Sequence, residues 1–137
     1  IEIVSGASDA GVCVATVNPR QTAAEIGYIL ADCGARVVFV TPQTEALVRA
    51  ADAPAIERIV VIGPDYEGLL ARASATPELP AVEEWDAFAM PYTSGTTGKP
   101  RGVTLPHRSR VMTMLGMASE YACYGPDDHY LAIAPLF

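Results

Sequence analysis

Apolar residues come in short bursts along this chain, and their spacing changes from one burst to the next. Gly11 to Val17 is a short, continuously apolar run that predicts a buried strand, ended by Asn18-Pro19. Thr22-Ala23-Ala24-Glu25 has the form of a capping box, so a helix should start there with Thr22 as N-cap. Ile26, Ile29, Leu30 and Cys33 give that helix one face of near-3.6 period, and Gly34 suits its C-terminal stop. Arg36 to Thr41 predicts a second buried strand. Thr41-Pro42 then opens a helix with Pro42 in its first position and Ala46, Leu47 and Ala50 inward. Arg58 to Ile62 predicts a third strand, broken by Gly63-Pro64, and a short helix follows around Glu67–Ala73. Residues 2–9 fit the end of another helix, weakened by Gly6, Ser8 and Asp9.

Alternating strands and helices of this kind imply βαβ units, so the expected fold class is α/β, a mostly parallel sheet flanked by helices. Residues 1–73 make up this βαβ-type part. Residues 74–86 differ, with Pro77, Pro80 and four acids marking a surface connection that Trp85 would pin to the body. In residues 87–137, Ala87 to Thr93 reads as a strand, with Pro91 at its edge or a bulge. Val103 to Leu105 returns as the other arm of a hairpin. His107 to Tyr121 reads as a helix with Val111, Met114, Leu115 and Ala118 inward, and His129 to Ala134 as a last strand.

Composition narrows the function classes. The chain has 137 residues, one domain's worth, and half are apolar, which supports a packed core over disorder. Its longest apolar runs, such as Val37–Val40 and Ile59–Ile62, are far short of a membrane span, and no signal-peptide pattern is present. A net charge of −7 excludes a basic nucleic-acid footprint. Cys13, Cys33 and Cys123 form no C-x-x-C pair and no zinc-spaced cluster, which fits a reducing cytoplasm.

The chemistry concentrates in Tyr92-Thr93-Ser94-Gly95-Thr96-Thr97-Gly98-Lys99-Pro100-Arg101-Gly102. These eleven positions hold four small hydroxyl residues, three glycines and two cations, among them Lys99, the only lysine of the chain. Glycines admit close backbone approach to a bulky anion, and hydroxyls and backbone N–H groups donate to phosphate oxygens. The common phosphate loop G-x-x-x-x-G-K-[ST] is excluded, because its first glycine would fall at Thr93 and Pro100 follows Lys99. The dinucleotide fingerprint is absent from the loop as well.

This stretch resembles the phosphate-binding signature of the adenylate-forming (AMP-binding) enzymes, which include acyl- and aryl-CoA synthetases, luciferases and peptide-synthetase adenylation domains. Residues 11–33 resemble the upstream motif of that superfamily, with V-N-P-R-x-T-A-A-E-I nearer to the acyl-CoA synthetases. Leu105-Pro106-His107-Arg108-Ser109 and Ala134-Pro135-Leu136-Phe137 resemble later motifs of the same group. The resemblance covers essentially the whole chain, but only an early part of a family member: an incomplete part of the large N-terminal domain.

The resemblance implies an acyl- or aryl-CoA ligase that activates a small carboxylic acid with ATP and Mg²⁺ and passes the acyl group to CoA. Thr93, Ser94, Gly95, Thr96, Thr97, Gly98, Lys99 and Arg101 would then bind the nucleotide phosphates, with Arg101 where the pattern usually has Lys. No residue of this chain receives a catalytic role, and no metal ligand is assigned. The isolated chain is expected to be inactive, and to self-associate through surfaces that the rest of such a protein would cover. A non-catalytic α/β module that binds a nucleotide or partner, and a fragment of a peptide-synthetase adenylation domain, are the alternatives. His107 is expected to cap a helix or lie exposed rather than act in catalysis, and Asp127, Asp128 and His129 to form a polar turn.

Overall fold

The structure, a computed structural model, describes residues 1–93, 98–122, 124–129 and 131. The chain divides into two compact units, one of residues 17–78 and 92–102, the other of residues 1–16, 79–91 and 103–137.

The first unit contains the tightest packing among the described residues. Helix α2 (Ala23–Asp32) begins with the expected capping box: the Thr22 side chain accepts from the Glu25 backbone, and the Glu25 carboxylate accepts from the Thr22 N–H at 2.8 Å. Gly34, at φ +64°, ends it as expected, since only glycine enters the left-handed region without a steric cost. Ile26, Ile29 and Leu30 of α2 are buried, as predicted from their period. They share the core with Val40, Val60 and Tyr66. Gly27 lies against the backbone of Asp52, where a Cβ would stand 2.9 Å from the carbonyl oxygen.

Strands β1 (Val37–Val40) and β2 (Arg58–Val61) pair in parallel, with Val38 opposite Ile59 and Val40 opposite Val61. Their burial differs from the continuous burial expected, because Val37 and Phe39 remain 48% and 41% exposed. On one face Val38, Val40, Ile59 and Val61 are buried or half-buried, while the other carries the exposed Val37, Phe39 and Arg58 beside the buried Val60. Helix α3 (Glu45–Arg49) starts three positions after Pro42, since Thr44 folds back on Thr41 in a hydroxyl-bonded turn first. Glu45, Leu47 and Val48 are its half-buried residues, while Ala46 and Ala50, expected inward, are exposed. Helix α4 (Pro64–Leu70) begins earlier than the sequence suggested, because Gly63, at φ +141°, turns the chain and Pro64 takes the first helical position. Tyr66 then meets Phe39 edge-on at 6.2 Å between ring centroids.

The second unit holds helix α1 (Glu2–Asp9), strands β3 (Ala87–Ala89) and β6 (Leu105–Pro106), and helix α5 (His107–Tyr121). Residues 11–17 do not form the predicted strand. They make a single parallel bridge, Val14 to Ala89, and Val12 is 54% exposed. Of the connection expected over residues 74–86, residues 74–81 are exposed and Val82 is half-buried. Trp85 remains 68% exposed with the Arg108 guanidinium 5.3 Å from its ring centre, so it is stacked rather than buried. The predicted strand over Ala87 to Thr93 is split, ending as β3 at Ala89 and resuming at Tyr92. Pro91 lies in the break, where a residue without an N–H cannot donate to a ladder. β3 pairs antiparallel with β6 through a register shift.

Helix α5 spans the predicted residues. Its first N–H groups, which no intrahelical carbonyl can satisfy, go to main-chain carbonyls: His107 to Asp86 at 3.1 Å and Arg108 to Glu84 at 2.8 Å. Its expected inward face is less buried than predicted. Val111, Met114 and Leu115 are about half exposed, and Ala118 is half-buried, so that face is covered only in part. The last predicted strand, His129 to Ala134, lies largely outside the described residues.

Candidate functional site

The glycine- and hydroxyl-rich segment is flanked by two paired strands. Strand β4 (Tyr92–Thr93) enters it and β5 (Arg101–Gly102) leaves it, paired antiparallel with Tyr92 opposite Gly102 and Thr93 opposite Arg101. This is the hairpin expected from the sequence, with its returning arm two residues earlier. Ser94, Gly95, Thr96 and Thr97 lie outside the described residues. Thr93, Gly98, Lys99 and Arg101 are all exposed at the open end of the hairpin. The hydroxyl of Thr93 reaches the Arg101 carbonyl only at 3.5 Å, a weak contact. Gly98 adopts φ +92°, and nothing lies within 4 Å of where its Cβ would be. The hairpin end therefore combines an open glycine turn, an exposed hydroxyl and two cationic side chains, a set that fits a polyphosphate.

Helix α2 supports both arms of this hairpin. The Tyr92 hydroxyl donates to the Asp32 carboxylate at 2.6 Å, a short charge-assisted bond. Lys99 Nζ lies 5.4 Å from the centre of the Tyr28 ring, within cation–π range. Tyr28 and Asp32 are four residues apart, so they share one face of α2. Burial, and then the hydrogen bond to Asp32, push the Tyr92 phenol far above its ordinary value, so it stays protonated and keeps donating. Tyr28 and Asp32 were not among the residues that the sequence pointed to. Their signal was an aromatic and an acid at helical spacing on an otherwise apolar element.

The other titratable candidates settle in the second unit. His107 is half-buried with its ring edge-on to Phe88 at 5.4 Å, and its Nε2 is buried with no hydrogen-bond partner among the described residues. It therefore neither caps the helix through its side chain nor lies exposed, contrary to expectation, and packing against Phe88 is what holds it. The Asp128 carboxylate accepts from the Gly125 N–H at 2.5 Å, and His129 Nδ1 lies 3.1 Å from the Asp127 carbonyl, which makes the polar turn expected there. Among the described residues, no group of three His, Cys, Asp or Glu side chains could hold a metal ion. A groove of this unit, about 510 Å³, is lined by Leu79, Val82, His107 and Met112 among others, and by no residue of the hairpin.

In a comparison with known families, the model of the AMP-binding enzymes matches residues 1–137. The chain belongs to the AMP-binding enzyme family. It is 36% identical over 141 residues to a sulfoacetate–CoA ligase of Cupriavidus necator, an alignment covering 98% of this chain and 27% of that protein. It is 37% identical over 120 residues to the fatty acid–[acyl-carrier-protein] ligase ScoC of Streptomyces coeruleorubidus, covering 87% of this chain and 23% of that one. Among solved structures, ATP-bound MatB from Rhodopseudomonas palustris superposes with a TM-score of 0.80 at 25% identity, over 92% of this chain and 26% of that one. The chain thus spans about a quarter of the length of the relatives it matches. The α/β expectation is met, in the form of part of an adenylate-forming fold. No helix among the described residues is long and apolar enough to cross a membrane.

Proposed function

We propose that these residues form the phosphate grip of an AMP-forming acid–thiol ligase, an acyl- or aryl-CoA synthetase working in the cytoplasm. The observation that carries this reading is the eleven-residue pattern, whose described ends pair as β4 and β5, with Lys99 and Arg101 exposed on its C-terminal side.

In the reaction, a carboxylate oxygen attacks the α-phosphorus of ATP, and the bond from that phosphorus to the β-phosphate bridging oxygen breaks. Pyrophosphate leaves with its electron pair. A thiolate then attacks the acyl carbon, and AMP leaves. Negative charge grows on the pyrophosphate in the first step. Preorganised donors aimed at that charge lower the barrier. Thr93, Ser94, Thr96 and Thr97 supply hydroxyls to the β- and γ-phosphates, and Gly95 and Gly98 let the backbone come close. Arg101 presents a planar fork to the phosphates and Lys99 a point charge. Mg²⁺, when bound with the nucleotide, supplies further charge neutralisation.

The acceptor thiol has two readings. The sulfoacetate–CoA ligase supports CoA, and the ScoC relative supports a carrier-protein thiol. Incubation of the complete protein with ATP, Mg²⁺ and a panel of carboxylic acids should release pyrophosphate with at least one acid. Adding CoA or a holo carrier protein in parallel should then show which thiol collects the acyl group. Replacing Thr96 and Thr97 together by Ala should lower release about 100-fold, the scale of losing a preorganised donor. No release with any acid, or unchanged release in the double variant, would sink the reading.

A further inference from the structure

Two side chains of α2 touch the two arms of the hairpin separately. Asp32 holds Tyr92, the last residue but one before the glycine- and hydroxyl-rich tip, and Tyr28 lies under Lys99, just after it. The helix that carries them is itself fixed. Its start is tied by the Thr22–Glu25 capping box, and its far side buries Ile26, Ile29 and Leu30. Gly27 brings it to within backbone contact of Asp52. A loop that must hold several phosphate oxygens at once gains from a base that does not move, because misplacement by about 1 Å is costly in rate.

We propose that Tyr28 and Asp32 are positioning residues for the phosphate loop, Asp32 acting through Tyr92 on the entering arm and Tyr28 through Lys99 on the leaving arm. The proposal rests on the ligase reading only for the identity of the triphosphate held. Neither residue needs to touch the nucleotide. Asp32 fixes the direction in which β4 delivers the chain to the tip. Tyr28 gives the flexible Lys99 side chain a seat, so that its ammonium is held beside the loop instead of ranging through solvent.

The test uses the complete protein and measures Mg·ATP affinity by calorimetry, with pyrophosphate release and the urea unfolding midpoint alongside. Asp32→Asn and Tyr92→Phe should each weaken Mg·ATP about ten-fold, the scale of one charge-assisted hydrogen bond. The double variant should be no weaker than either single one, because both remove the same contact. Tyr28→Leu should weaken Mg·ATP about three-fold, and Tyr28→Phe, which keeps the ring face, should restore wild-type affinity. KM for the acid should not move in any of them. Unchanged Mg·ATP affinity in these variants, additive losses, or losses that only track a lowered midpoint would overturn the proposal. Wild-type protein that binds Mg·ATP but releases no pyrophosphate would remove the ligase reading, and the affinities would still decide the positioning role. Wild-type protein that does not bind Mg·ATP would overturn both.

Discussion

Gly27 and the main chain of Asp52 are in contact that leaves no room for a side chain: a Cβ on residue 27 would meet the Asp52 carbonyl oxygen at 2.9 Å and its nitrogen at 3.0 Å. Both neighbours are backbone, so neither can swing aside as a flexible side chain would. Gly27→Ala should therefore push α2 off this contact and destabilise the protein by about 1–3 kcal/mol, in spite of alanine's better helix propensity. Urea unfolding followed by circular dichroism checks this, and an unchanged or raised midpoint would refute it.

The α2 capping box predicts a pH effect. The Glu25 carboxyl lies below the ordinary glutamate range, chiefly because the Thr22 N–H donates to it and then because the Thr22 hydroxyl does. Glu57 is lowered in the same direction, first by its hydrogen bond from Arg36. A lowered carboxyl stabilises the fold fully above the ordinary glutamate pKa of about 4.3, and that stabilisation is lost as pH falls through the folded value. Thr22→Ala should cost about 1 kcal/mol at neutral pH. It should also shrink the acid-side loss of stability, which unfolding midpoints taken through the acid limb would reveal.

Arg101 stands opposite Thr93 on the exposed leaving arm of the hairpin. If its charge is what the phosphates use, Arg101→Lys should keep pyrophosphate release within about three-fold, and Arg101→Met should lower it about ten-fold or more. KM for ATP should rise with the loss. Equal effects of the two substitutions would show that the fork geometry, not the charge, is required.

Burial pushes the Cys33 thiol above its ordinary value, and its Sγ also lies 3.6 Å from the Leu30 carbonyl, to which it donates. A raised pKa means less thiolate at neutral pH, and thiolate is the reactive form. Iodoacetamide should alkylate Cys33 more slowly than it alkylates glutathione under native conditions, and at the glutathione rate in urea. Peptide mapping by mass spectrometry reads both rates. Equal native rates would contradict the burial described for this thiol.

Local signals were the legible ones. The Thr22–Glu25 box, the Gly34 stop, the buried face of α2 and the span of α5 all depend on neighbours within one or two turns, and all were readable from residue type and spacing. The loop pattern was readable because its chemistry is contained in consecutive residues. Features that depend on partners distant in sequence were not. Ala46 and Ala50 match a helical face, but whether a face is covered depends on what packs on it, and these two remain exposed. The run from Ala87 to Thr93 has strand composition throughout, yet its pairing partner changes at Pro91, and composition does not show a change of partner. Tyr28 and Asp32 drew no notice, because nothing near them in sequence names Tyr92 and Lys99 as their partners.

The bond between Asp32 and Tyr92 joins residues sixty positions apart. On a ribosome, Asp32 emerges long before Tyr92, and α2 can be capped and packed against its nearer neighbours while the hairpin is still unmade. Closing so long a stretch of chain is entropically costly and comes late compared with local contacts. The seat for the loop is thus complete only when everything between the two residues has found its place. Nucleotide binding by this loop should be among the last properties the nascent protein acquires, and a nucleotide that binds only the finished seat would hold the folded state in place.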